Sequence, residues 1–164
     1  MRFALDQDLP GTVEEVLDVL ADPGFVPELG ALPKVGPPEL LEHRVADGTL
    51  HQRVRYRFTG PLSPAVTRVI DPDRLVWVDD TTYDLAAATA TFRIQPEHYA
   101  NRLRCSGRYR LRAAPGGCRR SIEGDLTVSY PLVGRAVERA ILSGLEDHLG
   151  AEADLIGRWL ARRT

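Results

Sequence analysis

The chain ends in one long amphipathic segment, from Pro131 to Arg163, and most of the chain before it has the period-two pattern of β-strands. Apolar residues recur in this segment at helical spacing, as in Val133, Val137 and Ile141. A helix of this length needs a long surface on which to lie. The sequence therefore predicts an α+β protein whose last helix crosses a large curved antiparallel sheet and encloses space between the two.

The composition is that of one globular domain. The 164 residues are 43% hydrophobic and 27% charged, which argues against wholesale disorder. The formal net charge of −2 gives no general attraction to nucleic acid or anionic lipid. We therefore expect a single domain spanning residues 1–164, with no nucleic-acid partner.

Three features favour a cytoplasmic protein. The N-terminal residues reach Asp6 too soon for the apolar region of a signal peptide. No run approaches the roughly 20 apolar residues of a membrane span. Strand pairing, described below, places Cys105 and Cys118 too far apart for a disulfide, and free thiols fit a reducing compartment.

The first forty residues predict a strand and two short helices. Phe3, Leu5 and Gln7 alternate with polar residues, as in a strand. Thr12 and Glu15 have the spacing of a capping box at the start of a helix. A second short helix is expected from Phe25 to Leu29, before a proline-rich loop.

A strand hairpin follows, with Asp47-Gly48 as its two-residue turn. Counting outward from the turn gives one mainly apolar face and one charged face, so the register is self-consistent. The predicted pairs are Val45 with Leu50, His43 with Gln52, Leu41 with Val54 and Glu42 with Arg53.

The next region is less regular. It predicts two strands, Val66–Ile70 and Leu75–Asp79, around Asp71-Pro72-Asp73. Val69, Val76 and Val78 share one face of this pair, while Ile70, Leu75 and Trp77 share the other. Either face can point inward, and both faces can be partly covered.

The last three predicted strands alternate clearly. Pairing them about Pro115-Gly116-Gly117 sets apolar residues against apolar residues, and Arg108 against Glu123 on the outer face. Small residues on neighbouring strands leave room beneath the helix, or let the sheet coil tightly. The predicted inner pairs are Tyr109 with Ile122, Gly107 with Gly124, Cys105 with Leu126 and Leu103 with Val128, and the small residues are Ala88, Ala90, Gly107 and Gly124.

The order of elements resembles that of the START-like (SRPBCC, helix-grip) superfamily. The octet that runs from Pro131 to Glu138 is similar to the PLVG-x-x-E segment at the start of the final helix in a subfamily of uncharacterised bacterial START-like proteins. The resemblance implies a curved antiparallel sheet of about seven strands, two short N-terminal helices, a long C-terminal helix across the concave face, and an internal, largely apolar cavity. It carries over no catalytic residue. Relatives in the wider superfamily include polyketide aromatase/cyclases, lipid-transfer domains and plant hormone-binding proteins, so the fold alone does not choose a function.

The inward-facing positions supply candidate cavity residues. Aromatic walls with a few polar groups are typical of small-molecule sites, although each such residue also suits an ordinary core. The candidates are His43, Gln52, Tyr56, Phe58, Phe92, Tyr109, Tyr130, Ile141, Leu145 and His148. His148 is the one candidate general acid or base, because the ordinary pKa of histidine lies near neutrality. The competing interpretation is a partly exposed helix histidine.

Other chemistry has little support. The sequence contains no glycine-rich phosphate loop, no zinc spacing and no nucleophile elbow, so we expect no metal and no cofactor. Outward arginines form a basic ladder on the convex face, which acidic neighbours can pair or which can recognise an acidic partner. These arginines are Arg53, Arg55, Arg57, Arg93, Arg102, Arg104, Arg108, Arg110 and Arg112, and the acidic neighbours are Glu42, Glu123 and Asp125.

Three functions are compatible with this sequence. The first is the binding or carriage of a small hydrophobic molecule, such as a lipid, a polyketide or an isoprenoid-like compound. The second is an aromatase/cyclase-like reaction on a polyketide that uses a cavity histidine or tyrosine. The third is a protein-interaction module that uses the basic sheet face. We predict the first, a non-catalytic binding protein, because of the aromatic and small residues under the long helix.

Overall fold

A seven-stranded antiparallel sheet organises the computed structural model, which describes residues 1–163. The strands lie in the order β1-β7-β6-β5-β4-β3-β2, so only β1 leaves its place in sequence, to pair with β7 at one edge. The elements in chain order are β1 (Arg2–Leu9), α1 (Val13–Leu20), a 3₁₀ helix (Pro23–Ala31), β2 (Glu39–Ala46), β3 (Thr49–Arg57), α2 (Pro64–Thr67), a 3₁₀ turn (Pro72–Arg74), β4 (Val76–Asp84), β5 (Thr89–Pro96), β6 (Leu103–Ala114), β7 (Gly117–Val128) and α3 (Gly134–Arg162). The predicted α+β, helix-grip fold class is confirmed.

The N-terminal helices begin at side-chain caps. The capping box is present: the Thr12 hydroxyl accepts from the Glu15 amide at 3.1 Å, and the Glu15 carboxylate accepts from the Thr12 amide at 3.3 Å. The second predicted helix is a 3₁₀ helix, in which the Asp22 carboxylate accepts from the Gly24 amide at 2.8 Å. Both elements bury apolar side chains beneath α3.

The first hairpin has the predicted register except at one pair. His43 lies opposite Gln52, Val45 opposite Leu50 and Glu42 opposite Arg53. The prediction that Leu41 opposes Val54 is wrong. A bulge between Leu40 and Glu42 puts Leu40 opposite Val54 and leaves Leu41 42% exposed.

The prediction of a strand at Val66–Ile70 is also wrong. Pro64 occupies the first turn of α2, and the Ser63 hydroxyl accepts from the Val66 amide, so this stretch begins as a helix. The second predicted strand is longer than expected, because β4 runs to Asp84 and pairs with both β3 and β5. Both faces of β4 are covered in part: Val76 and Val78 are buried on one face, and Thr81 and Tyr83 on the other.

The inner face of β4 carries one aromatic residue at each end and two polar residues between them. These residues are Trp77, Asp79, Thr81 and Tyr83, which alternate along the strand. They lie opposite Tyr56, Val54, Gln52 and Leu50 of β3, respectively.

The predicted pairs of β6 with β7 are all confirmed. Ala88, however, lies in the turn before β5, with a φ of 55°. A Cβ on Gly107 would lie 2.8 Å from the Phe92 ring, and one on Gly124 would lie 2.6 Å from the Phe3 ring. The glycines therefore admit aromatic rings and close strand packing, rather than leaving empty space.

The last helix packs over one half of the sheet. It begins at Gly134, three residues after Pro131, and it contacts β1, β7, α1 and the 3₁₀ helix. Ile156 is fully buried at this contact. Near the start of the helix, the buried Glu138 carboxylate accepts from the Val128 amide at 3.1 Å and ties the helix to the end of β7. No helix within residues 1–163 is both long and apolar enough to span a bilayer.

Replacing Gly107 with alanine tests the close packing of the strands. The new Cβ would lie 2.2 Å from the Glu123 carbonyl oxygen, so we expect Gly107→Ala to lower the free energy of unfolding by about 1–3 kcal/mol or more. Gly150→Ala is the matched control, because an added Cβ there meets no atom within 4 Å and alanine favours a helix by up to about 1 kcal/mol. Urea unfolding of both variants measures the difference. Equal stability of Gly107→Ala and the parent protein would contradict this packing.

Candidate ligand site between the sheet and the last helix

A buried arginine connects the sheet to α3. Arg120 of β7 is 5% exposed and lies opposite Gln7 of β1. Its Nε donates to the Gln7 Oε1 at 2.7 Å, and its Nη2 donates to the Glu152 Oε1 of α3 at 2.8 Å. The Gln7 amide in turn donates to the Leu149 carbonyl oxygen at 2.6 Å. Three elements are therefore held together by one polar network inside the protein.

The arginine keeps its charge in this position. Burial lowers the pKa of Arg120, but the Glu152 carboxylate and two nearby tyrosines raise it more, so the net pKa lies above its usual value. The guanidinium also lies over the Tyr109 ring, with 4.9 Å between Cζ and the ring centroid. Arg120 and Glu152 therefore form a charged, hydrogen-bonded pair in the interior.

A second polar group lies further across the inner face. The Asp79 carboxylate accepts from the Thr81 hydroxyl at 2.7 Å through Oδ1. Burial raises the pKa of Asp79 to about 6; the Glu152 charge adds to this shift, whereas the Thr81 hydrogen bond and the Arg120 charge oppose it. The carboxylate is thus largely ionised at neutral pH.

Aromatic rings surround these charges. Tyr56 and Trp77 stack with 5.8 Å between ring centroids, and Tyr83 meets Tyr109 edge to face at 5.8 Å. Burial raises the pKa of Tyr83 to about 12 and the pKa of Tyr56 well above its usual value. These hydroxyls stay protonated and can donate a hydrogen bond.

The two groups of charges share one interior. The charges of Asp79 on β4 and Glu152 on α3 both contribute to the raised pKa of Tyr56 on β3. Tyr56 and Asp79 lie on neighbouring strands, and Glu152 reaches the interior from α3 through its pair with Arg120. We call the inner-face side chains Tyr56, Trp77, Asp79 and Phe92 the wall.

Part of this wall faces accessible space. Two side-chain nitrogens are sealed from solvent without a hydrogen bond within residues 1–163, namely Trp159 Nε1 and Arg55 Nε. The Arg55 Nε nevertheless has the Glu97 carboxylate as an ion-pair partner at 2.6 Å. The Tyr56 hydroxyl and Asp79 Oδ2 make no hydrogen bond to the described residues, yet neither atom is sealed. Tyr56 and Asp79 also remain only partly buried. These polar atoms are therefore open to a hydrogen-bond partner other than the described residues.

The structure brings half of the predicted cavity residues together. His43 Nδ1 is 3.2 Å from Gln52 Oε1, and Gln52 lies opposite Thr81, beside Asp79. Tyr56, Phe92 and Tyr109 complete this set on the same face as His43 and Gln52.

The other predicted residues lie apart from that group or at its edge. Phe58 lies beyond β3 and bridges Val35, while Leu145 packs on the main core. Tyr130 and Ile141 belong to a second apolar cluster, where the Tyr130 ring meets Tyr99 at 6.2 Å.

His148 has a structural contact. Its Nε2 is hydrogen-bonded to the Pro33 carbonyl oxygen, which can only accept, so Nε2 carries the proton. The bond ties α3 to the loop after the 3₁₀ helix. Nδ1 is left without a hydrogen bond to residues 1–163.

Several site residues escaped the sequence-based prediction, namely Asp79, Thr81, Tyr83, Arg120 and Glu152. Two of them carried a signal. Arg120 has the same strand parity as Ile122, and Glu152 follows Leu149 by three residues on the apolar stripe of the helix. Thr81 and Tyr83 lie beyond the predicted end of the strand at Asp79, and Asp79 itself lies on a strand whose inward face the sequence leaves open.

Two open pockets lie outside this interior. One, of about 590 Å³, is formed around the octet that resembles the PLVG-x-x-E segment, and Tyr130, Leu132 and Glu138 line it. The other, of about 320 Å³, lies near Leu9 and Cys118. Among the predicted cavity residues, Tyr130 is the one that lines either pocket.

The convex face is mixed in charge. Arg55 pairs with Glu97 at 2.6 Å, and Arg108 pairs with Glu123 at 3.3 Å. Arg53 lies 3.7 Å from Asp80, a neighbour that the sequence did not suggest. Carboxylates thus pair three of the nine predicted arginines, and the other six form no ion pair with residues 1–163. Exposed pairs of this kind are typical of a solvated surface.

The fold and its interior define a class, the helix-grip proteins. Within that class, the chain belongs to the family described as "Protein of unknown function (DUF2505)", which it matches over residues 4–160. No curated protein matches the chain significantly.

Solved structures share this fold at low sequence identity. TTHA0849 from Thermus thermophilus is 15% identical, with a TM-score of 0.69 and complete coverage of both chains. The Zhui aromatase/cyclase from a Streptomyces species is 15% identical, with a TM-score of 0.60 and coverage of 100% of this chain and 94% of that one. Norcoclaurine synthase from Thalictrum flavum is 16% identical, with a TM-score of 0.59 and coverage of 98% and 85%, respectively.

Removing Glu152 tests the buried pair. In Glu152→Ala the Arg120 charge stays buried without its counterion, so we expect a loss of about 3–5 kcal/mol in the free energy of unfolding. Glu123→Ala removes the carboxylate of an exposed pair on the convex face, and there we expect a loss below about 1 kcal/mol. Urea unfolding at neutral pH compares the two. Similar losses in both variants would show that the buried pair does not stabilise the fold as described.

Proposed function

We propose that the protein binds a small, largely apolar molecule between the inner face of β3–β5 and α3. The observation that carries this proposal is the partly accessible wall of Tyr56, Trp77 and Phe92, which bears polar atoms without protein partners. The helix packs mainly on the β1–β7 half of the sheet, and this wall belongs to the other half. Aromatic walls with few polar groups are typical of small-molecule sites.

The fold relatives support the same proposal in general terms. Two of the solved structures with this fold are an aromatase/cyclase and norcoclaurine synthase, and the names of both refer to reactions of small molecules. The aromatic side chains of the site favour an apolar ligand. Each square ångström of apolar surface that binding removes from water contributes about 25 cal/mol to the binding free energy. Lipids, polyketides and isoprenoid-like compounds all meet this requirement.

Binding or carriage is proposed rather than turnover. Burial keeps the tyrosines protonated, so they suit hydrogen-bond donation to a ligand more than proton abstraction. The candidate base His148 uses Nε2 to hold the Pro33 carbonyl oxygen. The two predicted candidates, a cavity tyrosine and His148, therefore do not supply the freely placed acid or base that a cyclase-like reaction needs.

The two tryptophans allow a direct test. Trp77 lies in the proposed site, whereas Trp159 packs edge to face on Phe25 at 5.5 Å, beside α3 and the 3₁₀ helix. In Trp159→Phe, the apolar quencher 10-bromodecan-1-ol should quench Trp77 emission saturably with one site per chain, because a bromine atom quenches on contact. In the control Trp77→Phe, the same probe should leave Trp159 emission nearly unchanged.

A micromolar dissociation constant corresponds to about 8 kcal/mol of binding free energy, which one buried alkyl chain of this size can supply. No saturable quenching of Trp77, or equal quenching of the two tryptophans, would refute binding at this place.

A further inference from the structure

Two carboxylates turned toward the interior, Asp79 and Glu138, form no ion pair with residues 1–163, and Glu138 accepts from the Val128 amide near the start of α3. Arg120 is already paired with Glu152, with 2.8 Å between the Arg120 Nη2 and the Glu152 Oε1. The neighbouring Asp80 points to the convex face, where His51 and Arg53 pair with it. Asp79, in contrast, forms no ion pair with the residues that the structure describes.

One hydrogen bond does not offset this burial. The Thr81 hydroxyl donates a hydrogen bond to Oδ1 of Asp79, and Oδ2 accepts no hydrogen bond from residues 1–163. A carboxylate taken out of water is strongly disfavoured unless it is paired or fully hydrogen-bonded. The raised pKa of Asp79 is the expected sign of this penalty, and its value of about 6 still leaves the group charged at neutral pH.

The surroundings of Asp79 suit a positive charge. Trp77 lies two residues away on the same face and stacks on Tyr56. The faces of tryptophan and tyrosine rings attract cations, most strongly where water is excluded. Cys105, on the same row of the sheet, stays a neutral thiol, because burial and then the Asp79 charge raise its pKa to about 11.

We propose that the molecule bound in this interior is a cationic amphiphile, an apolar group with a protonated amine, whose ammonium pairs with Asp79 beside the rings of Tyr56 and Trp77. This inference rests on the proposed function and adds the head group of the ligand to it. An ammonium would give Asp79 Oδ2 the donor and the opposite charge that the protein does not supply. An anionic head group would instead face both Asp79 and Glu152.

Three probes with one apolar group separate the possibilities. They are 2-(1-naphthyl)ethylamine, 2-(1-naphthyl)ethanol and 1-naphthylacetate, which carry a positive, a neutral and a negative head group. By titration calorimetry at pH 7.5 we expect the amine to bind at least about 10-fold more tightly than the alcohol, and the acid more weakly than the alcohol.

Two neighbouring variants assign the preference to one carboxylate. Asp79→Asn should reduce the preference for the amine over the alcohol to within about 3-fold and leave alcohol affinity nearly unchanged. Asp80→Asn, one residue along β4 on the convex face, should keep the full preference. Asp79→Asn should fold, because above pH 6 it removes a charge that the folded state disfavours.

The preference should also depend on pH in a defined direction. Protonation of Asp79 through about pH 6 removes the partner of the ammonium, so the advantage of the amine should fall by about 10-fold between pH 7.5 and pH 5. The other ionisable groups that face Asp79 are Tyr56, Tyr83, Cys105, Tyr109, Arg120 and Glu152. The tyrosines, the thiol and Arg120 keep their protons in this range, and Glu152 is paired with Arg120.

Each outcome decides a separate point. If none of the three probes binds, the proposed function itself fails. If amine and alcohol bind equally to the parent protein and to Asp79→Asn, the interior binds apolar molecules but the cationic head group is wrong. Tightest binding of the acid would overturn the inference in favour of Arg120 as the recognition group.

Discussion

The ion pair between Arg120 and Glu152 is the interaction on which the interior depends. It joins the middle of the protein to its last helix, and Gln7 extends it to the edge strand and to the backbone of the helix. A polar network of this kind is favourable only when every member is satisfied, so it fixes the helix at one height above the sheet. An apolar contact at the same place would let the helix pack closer to the sheet. The pair therefore holds the helix over the β1–β7 half of the sheet, whereas on the β3–β5 half Tyr56, Trp77 and Asp79 stay partly exposed.

The opposite part of the inner face is built differently. There, Tyr56, Trp77 and Asp79 are only partly buried, and two of their polar atoms have no partner among the described residues. These atoms are not sealed from solvent, so water or a ligand can complete their hydrogen bonds. The rings of Tyr56 and Trp77 beside the Asp79 carboxylate are therefore the surface on which we propose that a ligand binds.

Much of the fold could be predicted from the sequence. The alternation of apolar residues and the turns at Asp47-Gly48 and Gly116-Gly117 determined two hairpin registers almost completely. The sequence does not indicate the bulge between Leu40 and Glu42, because Leu40 and Leu41 are both apolar and either can occupy the inward position. The helix at Pro64–Thr67 was mistaken for a strand, because its capping serine and proline also occur in loops.

The candidate site was harder to predict, for a physical reason. Parity places Arg120 on the inner face, but the sequence does not tell which carboxylate reaches it across the interior. Its partner is Glu152, 32 residues later on α3. This pairing depends on how the helix packs on the sheet, which the sequence pattern does not give. The same holds for Asp79, whose importance comes from its lack of an ion pair with residues 1–163, although the Arg120 charge acts on it.

The central claim is that space remains between α3 and the inner face of β3–β5. Diffraction from crystals held under xenon gas tests it most directly, because xenon enters apolar cavities and scatters anomalously. We predict an anomalous peak within van der Waals distance of Tyr56 and Phe92, on the side that faces α3. A well-diffracting crystal with no xenon there, and with side chains from the helix filling that volume, would contradict the account.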